Sequence, residues 1–201
     1  MKDRRDIIGD KARDVFFAKG YKAASLQDIS IKGKMSKATI YHYYKDKEDI
    51  LLSILIKNAE DGIAALKQIL QKNHQMKLDY RKSFESVIEA YASHLLKNRK
   101  ISLLVLRERA QLSEESRNAL LEKEKSVFRL IKSGLSKIPN LNRELNLNIV
   151  SFQIMSMIHW MGYWFDEKGS LSKEAAVEQT ISIIFNGMLC KKYERTYPCR
   201  N

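Results

Sequence analysis

Apolar residues recur at three- and four-residue spacing along almost the whole chain, the period of amphipathic helices rather than of strands. Ile8, Ala12, Val15 and Phe16 share one face of a first helix predicted over residues 5–19, which Gly20 stops as the residue just past its end. Ser25 caps a short second helix with Asp28 at its third position, a capping-box arrangement, and Leu26 and Ile29 supply its buried side before Gly33 ends it. Ser36 caps a third helix over 37–44, and Asp46 a fourth that continues to about residue 71. Further helices are predicted over 78–97, 101–111, 114–137, 144–165 and 173–192, with Ser113 and Ser172 as caps and polar joints between them. Only two prolines and eight glycines interrupt the pattern, so the fold class is all-α.

Two short helices joined by a glycine-containing turn make a helix-turn-helix. The organisation that follows is an N-terminal three-helix helix-turn-helix DNA-binding domain over 1–52 and a larger helical domain over 53–201. In such a motif the second helix lies in the major groove, its early residues reaching base edges while its flanks grip phosphates. The segment "SKATIYHYYKDKED" suits that role, with Tyr41, His42, Tyr43 and Tyr44 in four consecutive positions. Helical spacing puts Lys37, Tyr41 and Tyr44 on one stripe, Ala38, His42 and Lys45 on the next, and turns Ile40 inward. Any single tyrosine here could instead be half-buried packing. Four aromatic side chains on a two-turn helix cannot all be core.

Charge agrees with this placement. The formal net charge is +12, which favours polyanionic partners. Residues 1–50 hold 12 Lys and Arg against 8 Asp and Glu, a difference of +4, so the excess is not concentrated there. Its distribution says more: no acid lies between Asp28 and Asp46, whereas Lys32, Lys34, Lys37 and Lys45 do.

The stretch "FFAKGYKAASLQDISIKGKMSKATIYHYYKDKEDIL" resembles the DNA-binding domain of TetR-family regulators. It supplies Phe16, Gly20-Tyr21, Ser25, Asp28-Ile29, Gly33, Ser36, Thr39-Ile40-Tyr41, Lys47 and Ile50 in the family's order and spacing. The resemblance implies phosphate contacts from Ser25, Thr39, Tyr41 and Lys47, and base or groove contacts from Gln27, Lys37, Ala38, His42 and Tyr43. One departure stands out: where the family has small residues and a valine before the serine, this chain reads "SIKGKMS", which makes the turn more basic.

Beyond about residue 55 no motif is comparably strong. "SFQIMSMIHWMGYWF" is apolar almost all round, so its helix must be covered on more than one face. A second subunit on one side would satisfy that, with "VEQTISIIFNGML" as its partner helix; a central helix in a monomer is the alternative. The resemblance implies a homodimer through the last two long helices, reading a palindromic operator on double-stranded DNA. Met155, Met157, Trp160, Met161, Tyr163 and Trp164 suit either an adaptable ligand cavity or ordinary core packing. The stretches "LRERAQLSEESRNALLEKEKSVFRLIKSGL" and "HWMGYWFDEKGSLSKEAAVEQTISIIFNGML" further resemble the C-terminal domain of the acyl-CoA-responsive branch of the family. That implies a small hydrophobic effector, an acyl-CoA thioester, with Arg107, Arg109, Met157, Trp160, Met161 and Trp164 as candidate ligand contacts.

An enzyme is the competing class, and the chain offers it little. Its four histidines make no HExxH or paired-ligand spacing, and there is no phosphate-binding glycine loop, no GxSxG and no dinucleotide fingerprint. Cys190 and Cys199 read as reduced thiols, so no catalytic residue, metal or cofactor is expected. The N-terminus is charged from its second residue, which points to the cytoplasm rather than to a signal peptide. The one uncharged run, 149–165, is roughly 17 positions against the ~20 needed to span a bilayer and contains Ser151, Gln153 and His159, so no membrane partner is expected. A basic, non-specific nucleic-acid or membrane-surface protein remains a third class, separable by salt and sequence dependence of binding.

Overall fold

The computed structural model describes residues 3–188 apart from residues 143 and 167. Among the described residues, nine α-helices and one 3-10 turn make up the fold. Helix α1 (Arg4–Lys19) starts at Asp3, whose carboxylate accepts the Arg5 N–H at 3.3 Å, and stops at Gly20, where φ is 78°. Helix α2 (Leu26–Gly33) opens with a complete capping box: Ser25 Oγ accepts the Asp28 N–H at 3.1 Å and the Asp28 carboxylate accepts the Ser25 N–H at 2.9 Å. Ser36 caps α3 (Lys37–Tyr43) and Asp46 caps α4 (Lys47–Gln75), each through the N–H three residues on.

Two local expectations change. Gly33 is the last residue of α2, but Lys34 rather than a glycine takes the left-handed conformation that terminates it, at φ 51°. Tyr44 is not on the solvent stripe with Lys37 and Tyr41. It leaves α3 in extended backbone with φ −138°, its ring is 3% exposed, and its hydroxyl donates to the Arg5 carbonyl at 3.1 Å. Helical spacing stops applying where the helix stops.

Helices α5 (Tyr80–Lys97), α6 (Arg99–Glu108), the 3-10 turn Arg109–Gln111, α7 (Glu114–Leu135), α8 (Leu147–Trp164) and α9 (Lys173–Met188) follow. Helix α8 starts at 147 rather than 144 because Asn146 supplies the cap, accepting the N–H groups of Asn148 and Ile149 at 2.9 and 3.3 Å. Cys190, Cys199 and positions 189–192 of the last predicted helix lie outside the described residues.

Two apolar cores form. The N-terminal one gathers Ile8, Phe16, Ile29, Ile40, Ile50 and Leu51 from α1 to α4, and also takes Leu104 from α6, Leu112, and Leu120 from α7. Fully burying each such side chain contributes about 1.5–3 kcal/mol before the entropy of ordering is set against it. The second core packs α5, α7, α8 and α9 around Phe84, Ile88, Ile131, Ile158 and Phe185. Helix α4, 29 residues long, enters both: Leu51 and Leu55 belong to the first and Leu66 to the second. One face of α8 is buried through Ile154, Ile158 and Met161, while Ile149, Trp160 and Tyr163 on the other are 60%, 56% and 57% exposed. No helix among the described residues is long and apolar enough to cross a membrane.

Candidate DNA-binding face and effector cavity

Ile40 is fully buried, which anchors one side of α3 and leaves the other to solvent. Lys37, Ala38, Tyr41 and His42 are exposed there, with Ser25 and Gln27 exposed at the start of α2. Tyr41 presents 57% of its surface, enough for ring and hydroxyl both to reach a partner. Thr39 is half-buried, its hydroxyl 2.9 Å from Ser36 Oγ. Tyr43 is half-buried against the N-terminal core and meets the His42 ring edge-on at 4.9 Å.

The electrostatics of this face are one-sided. Lys32, Lys34, Lys37 and Lys45 are all exposed, and among the described residues no carboxylate pairs with any of them. Asp28, at the border, is already held by Lys19 at 2.5 Å and by Ser25, hydrogen bonds that bring its pKa down to about 2. Cations, hydroxyls and rings without an uncompensated acid suit a polyanion whose backbone must be neutralised.

Lys47 is placed differently. Its ammonium donates to the carbonyls of Tyr21 and Ala24, both at 2.8 Å, and of Lys22 at 3.3 Å, and lies 4.4 Å from the centre of the Tyr21 ring. It fastens the α1–α2 connection to the first turn of α4. Two further contacts join this unit to the C-terminal half. A Glu108 carboxylate oxygen accepts the Tyr21 N–H at 3.3 Å, and Glu48 accepts hydrogen bonds from Ser113 and Ser116.

Between α4, α5, α6, α7 and α8 lies a cavity of about 700 Å³, a size suited to a small-molecule ligand. Leu55, Leu95, Val105, Leu120, Phe128 and Met155 supply apolar wall. The polar groups are few. The Tyr91 hydroxyl and His159 Nε2 are hydrogen-bonded at 3.1 Å. His94 Nε2 lies 3.0 Å from the Asn58 carbonyl and donates to it. Desolvation lowers the pKa of both imidazoles and raises that of the Tyr91 hydroxyl, so all three are neutral at pH 7. The charge in the wall comes from Arg109, paired through Nη1 with both oxygens of Glu124 at 2.8 Å, and from exposed Lys125 at the rim.

The chain matches the descriptions "Bacterial regulatory proteins, tetR family" over residues 8–54 and "Tetracyclin repressor-like, C-terminal domain" over residues 77–188. It belongs to the tetR family. It is a DNA-binding transcriptional regulator and not an enzyme. It is 21% identical over 190 residues to the HTH-type transcriptional activator FasR of Mycolicibacterium smegmatis, covering 92% of this chain and 83% of FasR. Its fold is that of the TetR-family regulator PfmR from Thermus thermophilus, with a TM-score of 0.79 and 25% identity over 92% of this chain and 98% of PfmR. It is also similar to FadR from Bacillus subtilis in complex with stearoyl-CoA, with a TM-score of 0.75 and 20% identity over 90% of this chain and 98% of that one.

Of the six residues that the family resemblance marked for the effector, the cavity takes in Arg109 alone. Arg107 is exposed on α6, Met157 packs against the second core, Met161 is buried within it, and Trp160 and Trp164 stand on the outer face of α8. On α8, residues 152, 155, 156 and 159 line the cavity, whereas Trp160 and Trp164 lie outside it with 56% and 50% of their surface exposed. Tyr91, His94 and His159 went unmarked because lone histidines and tyrosines on apolar helices carry no local signature. Only the crossing of α4, α5 and α8 brings them together.

Proposed function

We propose that this tetR-family protein is a cytoplasmic, homodimeric repressor released from a palindromic operator by a small hydrophobic effector, an acyl-CoA thioester. DNA binding is assigned to residues 1–52, with Ser25, Gln27, Lys37, Ala38, Thr39, Tyr41, His42 and Tyr43 at the interface; effector binding and dimerisation fall to residues 53–201. The exposed apolar faces of α8 and α9, with Ile149, Trp160, Tyr163 and Ile183 at 65%, support pairing through these helices. Two recognition helices about 34 Å apart would then read one turn of duplex.

The observation that carries the effector reading is that Leu55 and Leu120 line the cavity and also belong to the core beneath the helix-turn-helix. A ligand that fits only one arrangement of these side chains biases the orientation of α4's first turns, and with them α3, by population shift. The apolar wall with Arg109 at one point suits an aliphatic chain bearing an anionic head, and the FadR complex with stearoyl-CoA supports that choice.

The test is fluorescence anisotropy with the duplex upstream of the protein's own gene and a scrambled duplex, with and without stearoyl-CoA. Sequence preference that weakens on adding stearoyl-CoA is expected. Tighter binding on addition would reverse the sign of regulation, and equal, salt-sensitive binding to both duplexes would count against an operator at that position.

A further inference from the structure

The turn between α2 and α3 is built the opposite way from what its residues prefer. Helix α2 ends in a two-bond closure: the Lys34 N–H donates to the Ile31 carbonyl at 3.2 Å and the Met35 N–H to the Ser30 carbonyl at 3.1 Å. That closure requires a left-handed residue at position 34, where glycine is the unstrained choice. The chain has a glycine, but one position earlier, in helical conformation. A Cβ on Gly33 would press on the flexible end of the Met35 side chain, which folds back across the end of α2 and packs against the N-terminal core. Lysine is left in the left-handed position, at φ 51° and ψ 48°.

A side chain held in a sparsely populated backbone conformation, with no partner inside the protein, points to a role outside it. The Lys34 ammonium has no hydrogen bond or ion pair among the described residues. It is exposed at the turn that leads into α3, between exposed Lys32 and exposed Lys37 in the chain and directly before the helix that carries exposed Tyr41 and His42. Ser30 fixes the turn from below, its hydroxyl donating to the Met35 carbonyl at 2.6 Å. The backbone that aims Lys34 is thus held by three hydrogen bonds and the Met35 contact.

We propose that Lys34 is a further DNA-backbone ligand, a phosphate contact made from the helix-turn-helix turn itself, and that the fold maintains its strained conformation for that contact. This rests on the DNA-binding role of the α2–α3 face. The contact is to phosphate rather than base, because the turn bearing it precedes the helix that enters the groove, so it adds affinity without sequence information.

The experiment compares the full-length protein with Lys34→Gly, Lys34→Asn and the neighbouring Lys32→Ala in thermal melts and in anisotropy titrations on one duplex at several salt concentrations. A phosphate contact does not depend on sequence, so any duplex that the wild type binds will serve. Lys34→Gly should melt about 2–4 °C higher than wild type, since the strain is gone. It should nevertheless bind DNA about 3- to 10-fold more weakly, with the log–log salt slope reduced by about one. Lys34→Asn, whose side chain tolerates the left-handed region, should lose the same slope with little change in melting. An unchanged slope in both variants would overturn the phosphate role, and a lower melting temperature for Lys34→Gly would overturn the strain. Failure of the wild type to bind any duplex would instead sink the DNA-binding face as a whole, a result visible before any variant is made.

Discussion

One carboxylate oxygen of Glu48 accepts both the backbone N–H of Ser113, at 2.9 Å, and its hydroxyl, at 2.6 Å, so the first turn of α4 is tied to the cap of α7. The Ser116 hydroxyl adds a third bond to the same oxygen at 2.5 Å. These bonds favour the ionised form, and the Glu48 pKa lies below its ordinary value, with the Ser113 hydroxyl as the largest cause. A depressed carboxylate pKa stabilises the fold at pH values above the unfolded value of about 4.3, and the contribution is lost as pH falls through the native value. Glu48→Gln should therefore lower the melting temperature by about 2–4 °C at pH 7 and by progressively less below pH 4, where the two curves converge. A constant difference down to pH 3 would show that charge at Glu48 is not what holds α4 to α7.

Lys47→Met separates a structural role from a DNA contact. The substitution keeps the aliphatic stem but leaves the carbonyls of Tyr21, Lys22 and Ala24 without their donor. Depriving such groups of a partner costs about 1–3 kcal/mol, so the melting temperature should fall by about 4–8 °C. The salt slope of DNA binding should stay as in the wild type. A slope lower by about one with unchanged melting would place the Lys47 ammonium on phosphate.

The outer faces of α8 and α9 predict the assembly. A double variant, Trp160→Glu with Ile183→Glu, changes two side chains that are 56% and 65% exposed, so the folded monomer should tolerate it. Sedimentation velocity should show the variant as a monomer at concentrations where the wild type is a dimer. Its affinity for a palindromic duplex should fall by at least about tenfold, while binding to a half-site duplex is retained. A dimer that persists would move the interface elsewhere.

Arg109 and Trp160 predict opposite outcomes for the effector. At stearoyl-CoA concentrations about 100-fold above Kd the wild type should gain about 2.7 kcal/mol, read as a melting shift of about 5–10 °C. Arg109→Met removes the cavity's paired cation and should weaken binding about tenfold by calorimetry. Trp160→Phe, on the outer face of α8, should leave it unchanged. The reverse pattern would mean that the effector sits against α8's tryptophans.

The N-terminal unit was legible because its signals are local. The Ser25 and Asp28 capping box, the Ser36 and Asp46 caps and the inward Ile40 each depend on residues within four positions of one another. Tyr44 was misplaced for the same reason: the spacing rule was extended one residue past the helix, where the backbone turns extended. The Lys47 partners lie 23 to 26 residues away and the Glu48 partners 65 to 68, so neither contact has a periodic signature. The cavity was legible only as an apolar, Met-rich helix. Which of its sides faces inward is decided by the packing of α4, α5 and α7 against it.

Helix α4 runs unbroken from the helix-turn-helix past the cavity into the second core, and α6, α7 and the connection between them send Leu104, Leu120 and Leu112 back into the first. The two halves are therefore not interchangeable modules. A sensor built by cutting at residue 52 and grafting the front piece onto another receptor would forfeit Ile54, Leu55 and those three leucines, and with them one wall of its own interior. A workable chimera would have to carry matched 104–120 segments along with the recognition helix, so new operator specificities are better introduced as surface changes on α3 than as domain swaps.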